Sequence, residues 1–155
     1  MGNALLKARA LARQLLDAGI TASTLADDSG LEVDELENRP GIHSARYGGD
    51  EIGWPQRRAA LLAELDGVPE AARTARFLCT MALVKPDGDA FIATGEVEGR
   101  LLTAEQGTGG FGYDSLFYCP PLDRTFAEIT EDEKNVVSHR RRAADALLEA
   151  LRDSE

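Results

Sequence analysis

The sequence predicts an α/β fold in one compact body, and three observations carry the prediction. Apolar residues recur at helical spacing in three separated segments: near the start, after Trp54 and at the end. Between the second and third lie two β-type runs, 76–85 and 90–97, joined across Pro86-Asp87-Gly88-Asp89, a strong hairpin turn. No internal repeat, low-complexity run or linker interrupts the 155 residues. A single domain, 1–155, accommodates that length while burying most of its apolar surface.

The first segment, 3–18, carries Leu5, Leu6, Leu11, Leu15 and Leu16 with Ala4, Ala8 and Ala12, and stops at Gly19. Segment 20–26 is short and threonine-bearing, and reads as a strand delivering Asp27 and Asp28 at its end. Leu31, Val33 and Leu36 continue in a pattern that fits strand or helix equally. Residues 38–49 read as a loop broken by Pro40-Gly41 and Gly48-Gly49, bringing out Arg46 and Tyr47 together. Segment 54–65 is helical again, with Pro55 suited to a first turn and Gly67 to a stop. After the hairpin, Gly99 reads as a bulge before a further strand at 100–103. Leu116-Phe117-Tyr118 is a short strand closed by Pro120-Pro121. The last helix, 138–152, starts at Ser138 and buries Ala143, Ala144, Leu147, Leu148 and Leu151.

Composition narrows the function classes. With 43% hydrophobic and 28% charged residues, no apolar run long enough to span a bilayer and no charged-then-apolar opening, a cytoplasmic protein with no membrane partner is expected. Cys79 and Cys119, isolated from each other, form neither a disulfide framework nor a zinc site, so a metal would be held by oxygen. A net charge of −10 argues against binding long nucleic acid through its phosphates, yet leaves room for a small phosphorylated ligand. Positive charge is concentrated late, in Lys134, Arg140, Arg141 and Arg142.

Three stretches carry chemistry. Ala26-Asp27-Asp28-Ser29-Gly30 sets two carboxylates side by side; it is either an ordinary turn or a site where Mg²⁺ compensates the charge. Gly107-Thr108-Gly109-Gly110-Phe111-Gly112-Tyr113-Asp114 contains G-x-G-x-x-G, but Leu116-Phe117-Tyr118 and two prolines follow where a dinucleotide fingerprint needs a helix. A kinase-type glycine loop fails as well, for want of its downstream motifs. What remains is a tight turn with aromatics at a core edge, or backbone approached closely by a ligand on which Phe111 or Tyr113 stacks. Ser138-His139-Arg140-Arg141-Arg142 puts cations in a first helical turn, where the helix dipole disfavours each by about 0.3 to 1 kcal/mol. A bound anion would reverse that sign; the plainer alternative is arginines fanned into solvent or paired with Glu131, Asp132 and Glu133. A serine–histidine–aspartate triad from Ser29 or Ser138 lacks any nucleophile-elbow pattern.

Taken together and in order, Asn3-Ala4-Leu5-Leu6-Lys7-Ala8, Ala26-Asp27-Asp28-Ser29-Gly30-Leu31, Pro40-Gly41-Ile42-His43-Ser44-Ala45-Arg46-Tyr47, Gly107 to Asp114, and Glu133-Lys134 with Ser138-His139-Arg140 resemble the inosine triphosphate pyrophosphatase family. Those enzymes hydrolyse deaminated purine nucleoside triphosphates. The resemblance implies a two-lobed α/β fold with a central mixed β-sheet and flanking helices, in a homodimer. It implies Asp28 as general base and Mg²⁺ ligand, Asp27 beside it at the metal, and Ser29 touching substrate. Lys7 and Arg46 would neutralise the triphosphate. Phe111 would stack on the purine within a stretch that includes Gly112, Tyr113 and Asp114, while Lys134, His139 and Arg140 would contact the nucleotide, chiefly its base. Family members open with a strand, a Thr/Ser-Gly-Asn-x-x-Lys phosphate loop and a metal-binding glutamate ahead of the helix that here begins at Asn3. Against that pattern the chain is expected to be N-terminally shortened. The alternative to an active hydrolase of ITP, dITP and XTP is therefore a weak or inactive nucleotide-binding or interaction protein that has lost the loop.

Overall fold

The helical repeats near the two ends become α1 (Gly2–Asp17) and α4 (His139–Arg152) in a computed structural model that describes residues 2–154. Between them lie β1 (Thr24–Val33), β2 (Arg39–Gly41), α2 (Trp54–Glu64), β3 (Thr74–Val84), β4 (Ala90–Leu101), β5 (Phe117–Cys119), β6 (Arg124–Thr125) and α3 (Glu131–Val137). The strands form one sheet in the order β2-β1-β3-β4-β5-β6. β1 with β2, β4 with β5, and β5 with β6 are antiparallel pairs. No described helix is long and apolar enough to cross a membrane.

The described residues group into two compact units, the division falling within β1, β3 and β4. One unit takes the chain up to Ser29, Leu78–Glu96 and the chain from His139; the other takes Gly30–Phe77 and Val97–Ser138. In the first, Ala4 and Ala8 of α1 pack on Ala82 and Val84 of β3, with Leu5, Ala12 and Ala26 alongside. Small residues let the helix approach the sheet closely, and Thr24 Oγ1 donates to the Ala8 carbonyl at 2.9 Å. Gly95 does the same for α4. A Cβ built there would lie 2.2 Å from Ala143 N and 2.3 Å from the His139 carbonyl oxygen, so only glycine admits the start of α4 against β4.

The second unit holds the larger core, in which Phe77, Phe117 and Phe126 cluster with centroids 4.6, 5.0 and 5.9 Å apart. Such ring pairs add about 0.5 to 1.5 kcal/mol each beyond the area they bury. Arg73 is buried but satisfied: it donates to the Leu65 carbonyl at 2.9 Å and the Val68 carbonyl at 3.0 Å, just beyond the end of α2.

Several local expectations change. The strand expected at 20–26 starts at Thr24 and continues to Val33, placing the aspartates inside β1 rather than at its end. Gly99 does not bulge: β4 runs on through it into the pairing of Arg100 with Tyr118, and glycine is needed there since a Cβ would meet the Tyr118 carbonyl oxygen at 2.4 Å. The loop at 38–49 contains β2 and a 3-10 turn, Ser44–Arg46. α3 was not foreseen, although Thr130 and Glu133 form a full capping box at its start.

Candidate active site

Strand geometry decides what the aspartate pair can do. Successive side chains of a strand point to opposite faces. Thr24 bonds to α1 and Ala26 packs on the α1 cluster, so Asp28, two residues further, shares that face. There its Oδ1 meets Lys7 Nζ at 2.8 Å, and the same ammonium donates to the Asp27 main-chain carbonyl at 3.0 Å. The Asp27 side chain turns the other way and takes Arg140 Nε of α4 at 2.9 Å. Asp27 and Asp28, both expected at one metal, are thus served by different helices, and one ion gripped by both side chains does not fit this pleat.

Asp28 alone does fit Mg²⁺. Its carboxylate is a hard oxygen donor with a side chain 24% exposed, and Mg²⁺ commonly takes one protein carboxylate with the remainder from water and substrate phosphate. Among the described residues no group of three His, Cys, Asp or Glu side chains gathers to cage a cation.

Ser29, on the Asp27 face, has a buried Oγ with no hydrogen bond of ordinary geometry; the Cys79 thiol of β3 is a neighbour. Burial pushes that thiol's pKa up, opposed by Ser29 and Arg140 and reinforced by Asp27 and Asp28. Cys79 therefore stays a neutral, inert thiol behind the aspartates. His139 is buried at the start of α4. The basic run after it is answered by protein acceptors rather than presented bare: Arg140 by Asp27, Arg141 by Asp145 at 2.8 Å one turn on, and Arg142 by the Glu96 carbonyl at 2.8 Å. Glu133, which sequence reasoning offered as a partner for those arginines, instead caps α3 and pairs with Arg124 at 3.0 Å.

The second unit contains the glycine-rich stretch, and it separates the two aromatics that sequence left equivalent. Tyr113 is 2% exposed, is part of the core, meets Trp54 edge-on at 5.4 Å, and donates its hydroxyl to the Ser44 carbonyl at 2.9 Å. Phe111 is 61% exposed, with Lys134 Nζ 4.6 Å from its ring centre. Lys134 also forms an ion pair with Asp114, whose side chain is 4% exposed and accepts the Phe111 N–H at 2.8 Å. A flat, exposed ring, a cation at its face and a buried carboxylate that locks both make a platform suited to a planar heterocycle. Gly110 and Gly112 allow the loop its course, at φ +67° and +65°, and a Cβ on Gly110 would collide with Asp114.

Arg46 stands on the exposed 3-10 turn, 3.5 Å from His43 Nδ1. The turn is held from α2: Arg57, 6% exposed, donates to the Tyr47 carbonyl at 2.8 Å and to the Gly49 carbonyl. Sequence reasoning missed Arg57 and its neighbour Arg58, whose Nη1 reaches the Gly112 carbonyl at 2.9 Å. A signal was present, since Arg57 precedes Leu61 and Leu65 by four and eight positions and so falls on the apolar stripe of the helix. Of the expected residues, Lys7, Asp27, Asp28, Ser29, His139 and Arg140 belong to the first unit; Arg46, Phe111, Gly112, Tyr113, Asp114 and Lys134 belong to the second.

Comparison with known proteins gives a consistent set of relatives. The model of the Ham1 family matches residues 1–150. A protein of Halalkalibacterium halodurans named dITP/XTP pyrophosphatase is 46% identical over 145 residues, covering 94% of this chain and 72% of that protein. A dITP/XTP pyrophosphatase of Nitratidesulfovibrio vulgaris is 49% identical over 153 residues, covering 95% and 72%. The structure of the Staphylococcus aureus Ham1 protein superposes with a TM-score of 0.88 at 37% identity, covering 99% of this chain and 76% of that one.

Proposed function

The chain belongs to the Ham1 family, and from that premise we propose that it hydrolyses deaminated purine nucleoside triphosphates, dITP, XTP and ITP, to the monophosphate and pyrophosphate. The coarser statement, that it is a nucleoside triphosphate pyrophosphatase, rests on relatives of that activity at 46 to 49% identity over nearly all of the chain. The observation that supports hydrolysis is the contact of Lys7 with Asp28, a cation and a carboxylate both reachable from solvent at the positions expected to meet phosphate and water, while the choice of deaminated bases follows the relatives.

In this reading Asp28 orients a water molecule and accepts its proton as the oxygen attacks the α-phosphorus; the bond from that phosphorus to the oxygen bridging to the β-phosphate breaks, and pyrophosphate leaves. Lys7 and Arg46 offset charge that accumulates on the phosphate oxygens. Asp28 is the residue that would hold Mg²⁺, which would supply Lewis-acid stabilisation of phosphate oxygens when bound. Phe111 stacks on the base, with Lys134 at its edge as a donor for a 6-keto oxygen. An adenine amino group would leave that donor facing another donor, which is the kind of mismatch that discriminates strongly. Arg140 spends its Nε on Asp27 and keeps other guanidinium N–H groups that can turn to a nucleotide. A cytoplasmic location and a homodimer belong to the same proposal.

The test is pyrophosphate release from ITP, dITP and XTP in Mg²⁺, compared with ATP and repeated with Asp28→Asn. Turnover confined to the deaminated bases, and a loss on the order of 100-fold or more in the variant, is expected. Equal rates on ITP and ATP, or an unimpaired Asp28→Asn, would sink the reading. Tight ITP binding without turnover would select the nucleotide-binding alternative.

A further inference from the structure

Arg58 of α2 has no part in that hydrolysis, yet it hydrogen-bonds the backbone of the glycine-rich loop. Its Nη1 donates to the Gly112 carbonyl at 2.9 Å and its Nε to Glu105 Oε2 at 2.8 Å. The same Glu105 oxygen accepts Ser115 Oγ at 2.8 Å, so the arginine grips the loop at its tip and, through the carboxylate, at its return. The Arg58 side chain is 16% exposed, leaving it little freedom to do anything else.

The remaining anchors of the loop show why this one matters. The base of the loop is fixed by Gln106 N to the Ser115 carbonyl at 2.8 Å and by Gly109 N to the Ala127 carbonyl at 2.9 Å. The far side of the tip is fixed by Tyr113 to Ser44 and by Asp114 to the Phe111 N–H. On the near side lies a hollow of about 360 Å³ bounded by Arg58, Glu105, the run of loop glycines and Ser115. Glycines flanking a hollow do not hold themselves in place, because they have many accessible conformations and no side chain to pack. Arg58 is the strut across it.

We propose that Arg58, braced by Glu105 and Ser115, is a positioning residue that sets the pose of Phe111 for the nucleobase and thereby contributes to base discrimination. The inference rests on the purine reading of the Phe111 platform. It does not require Arg58 to touch substrate. Removing the strut frees the Gly112 peptide, lets Phe111 wander from stacking range, and leaves Asp28 and Lys7 as they were.

Steady-state pyrophosphate release from ITP and from ATP, measured for wild type, Arg58→Ala and Arg58→Lys with thermal melts of each, tests it. Arg58→Ala is expected to raise KM for ITP about tenfold with kcat within about twofold, since a lost positioning contact acts on ground-state binding when the reacting groups are intact. The ratio of kcat/KM for ITP to that for ATP should shrink with it, and Arg58→Lys, which keeps one donor for Gly112, should fall between. If KM and the base preference stay at wild-type values in Arg58→Ala, the inference is wrong. It is equally overturned if kcat and Tm fall and KM rises together while the base preference is retained, because that is the mark of a merely structural residue. Wild-type protein without activity or ITP binding would instead bring down the purine reading and the inference along with it.

Discussion

Replacing Gly95 by alanine is the sharpest single test of how α4 is seated. The new methyl carbon would stand 2.2 Å from Ala143 N and 2.3 Å from the His139 carbonyl oxygen, both backbone atoms of the helix start. Backbone cannot rotate aside as a side chain can, so reaching an ordinary 3.4 Å contact requires α4 to retreat by about 1.2 Å from that strand. Two effects compete. Alanine in place of glycine within a strand gains about 0.5 to 1 kcal/mol in conformational entropy. Overpacking against an unyielding neighbour costs about 1 to 3 kcal/mol and occasionally more. The clash wins here, because the contact is with main chain and falls so far inside the contact distance. For a chain of this size each kcal/mol lowers Tm by about 2 to 4 °C, so a fall of several degrees is expected. The retreat also lengthens the Arg140–Asp27 bond from 2.9 Å, taking it out of hydrogen-bond range. Thermal melts and urea titrations of wild type and Gly95→Ala, with pyrophosphate release as the second readout, measure both consequences. A variant that melts at or above the wild-type temperature would refute the seating described for α4.

Two further outcomes follow from the second unit. Lys134→Met strands the Asp114 carboxylate, whose side chain is only 4% exposed, and should cost up to about 3 to 5 kcal/mol in a urea titration. Adding Asp114→Asn to that variant should recover most of the loss, and a single variant within 1 kcal/mol of wild type, on the order of a surface pair, would contradict the buried pairing. The tyrosines give a pH signature. Burial pushes Tyr113 from 10.0 up to about 12, against the pull of Arg57 and Arg58. Burial and the bond to Glu64 raise Tyr47, and the bond to Asp123 raises Tyr118. Because the folded state favours the neutral phenol, the stability linked to these groups is fully present below pH 10 and is lost as pH rises through the folded values. Phenolate absorbance at pH 10 should therefore be well under half-maximal in native protein and rise on unfolding; a native titration centred at 10.0 would contradict this.

The parts of the fold that the sequence disclosed are those whose causes are local. α1 ends at Asp17 with Gly19 just beyond at φ +73°, α2 begins at Trp54 with Pro55 in its first turn, and the hairpin turns where Pro86 to Asp89 said it would. What stayed hidden depends on distant partners. Asp27-Asp28-Ser29-Gly30 has turn chemistry, yet it runs as strand into the pairing of Leu31 with Gly41, a neighbour no local window contains and one so near that a Cβ on Gly30 would meet the Gly41 carbonyl oxygen at 2.4 Å. The arginines at the start of α4 looked like an invitation to an anion because the acid that meets Arg140 lies 113 residues away. Phe111 and Tyr113 were indistinguishable until the loop's path sent one ring outward and the other inward. α3 is a different matter: its Thr130-x-x-Glu133 box was legible, but a helix of 7 residues offers too little periodicity to draw the eye.

The pleat of β1 makes the aspartate pair a matter of parity. Counting from Thr24, even steps land beside Lys7 and odd steps land beside Arg140. Inserting one residue between Thr24 and Asp27 would not abolish a carboxylate at Lys7; it would deliver Asp27 there in place of Asp28, and push Asp28 one place further along the strand. Two residues inserted would bring neither aspartate to its present partner. The doubled aspartate thus absorbs a slip of one residue, leaving an acid where the chemistry is expected, and does not absorb a slip of two.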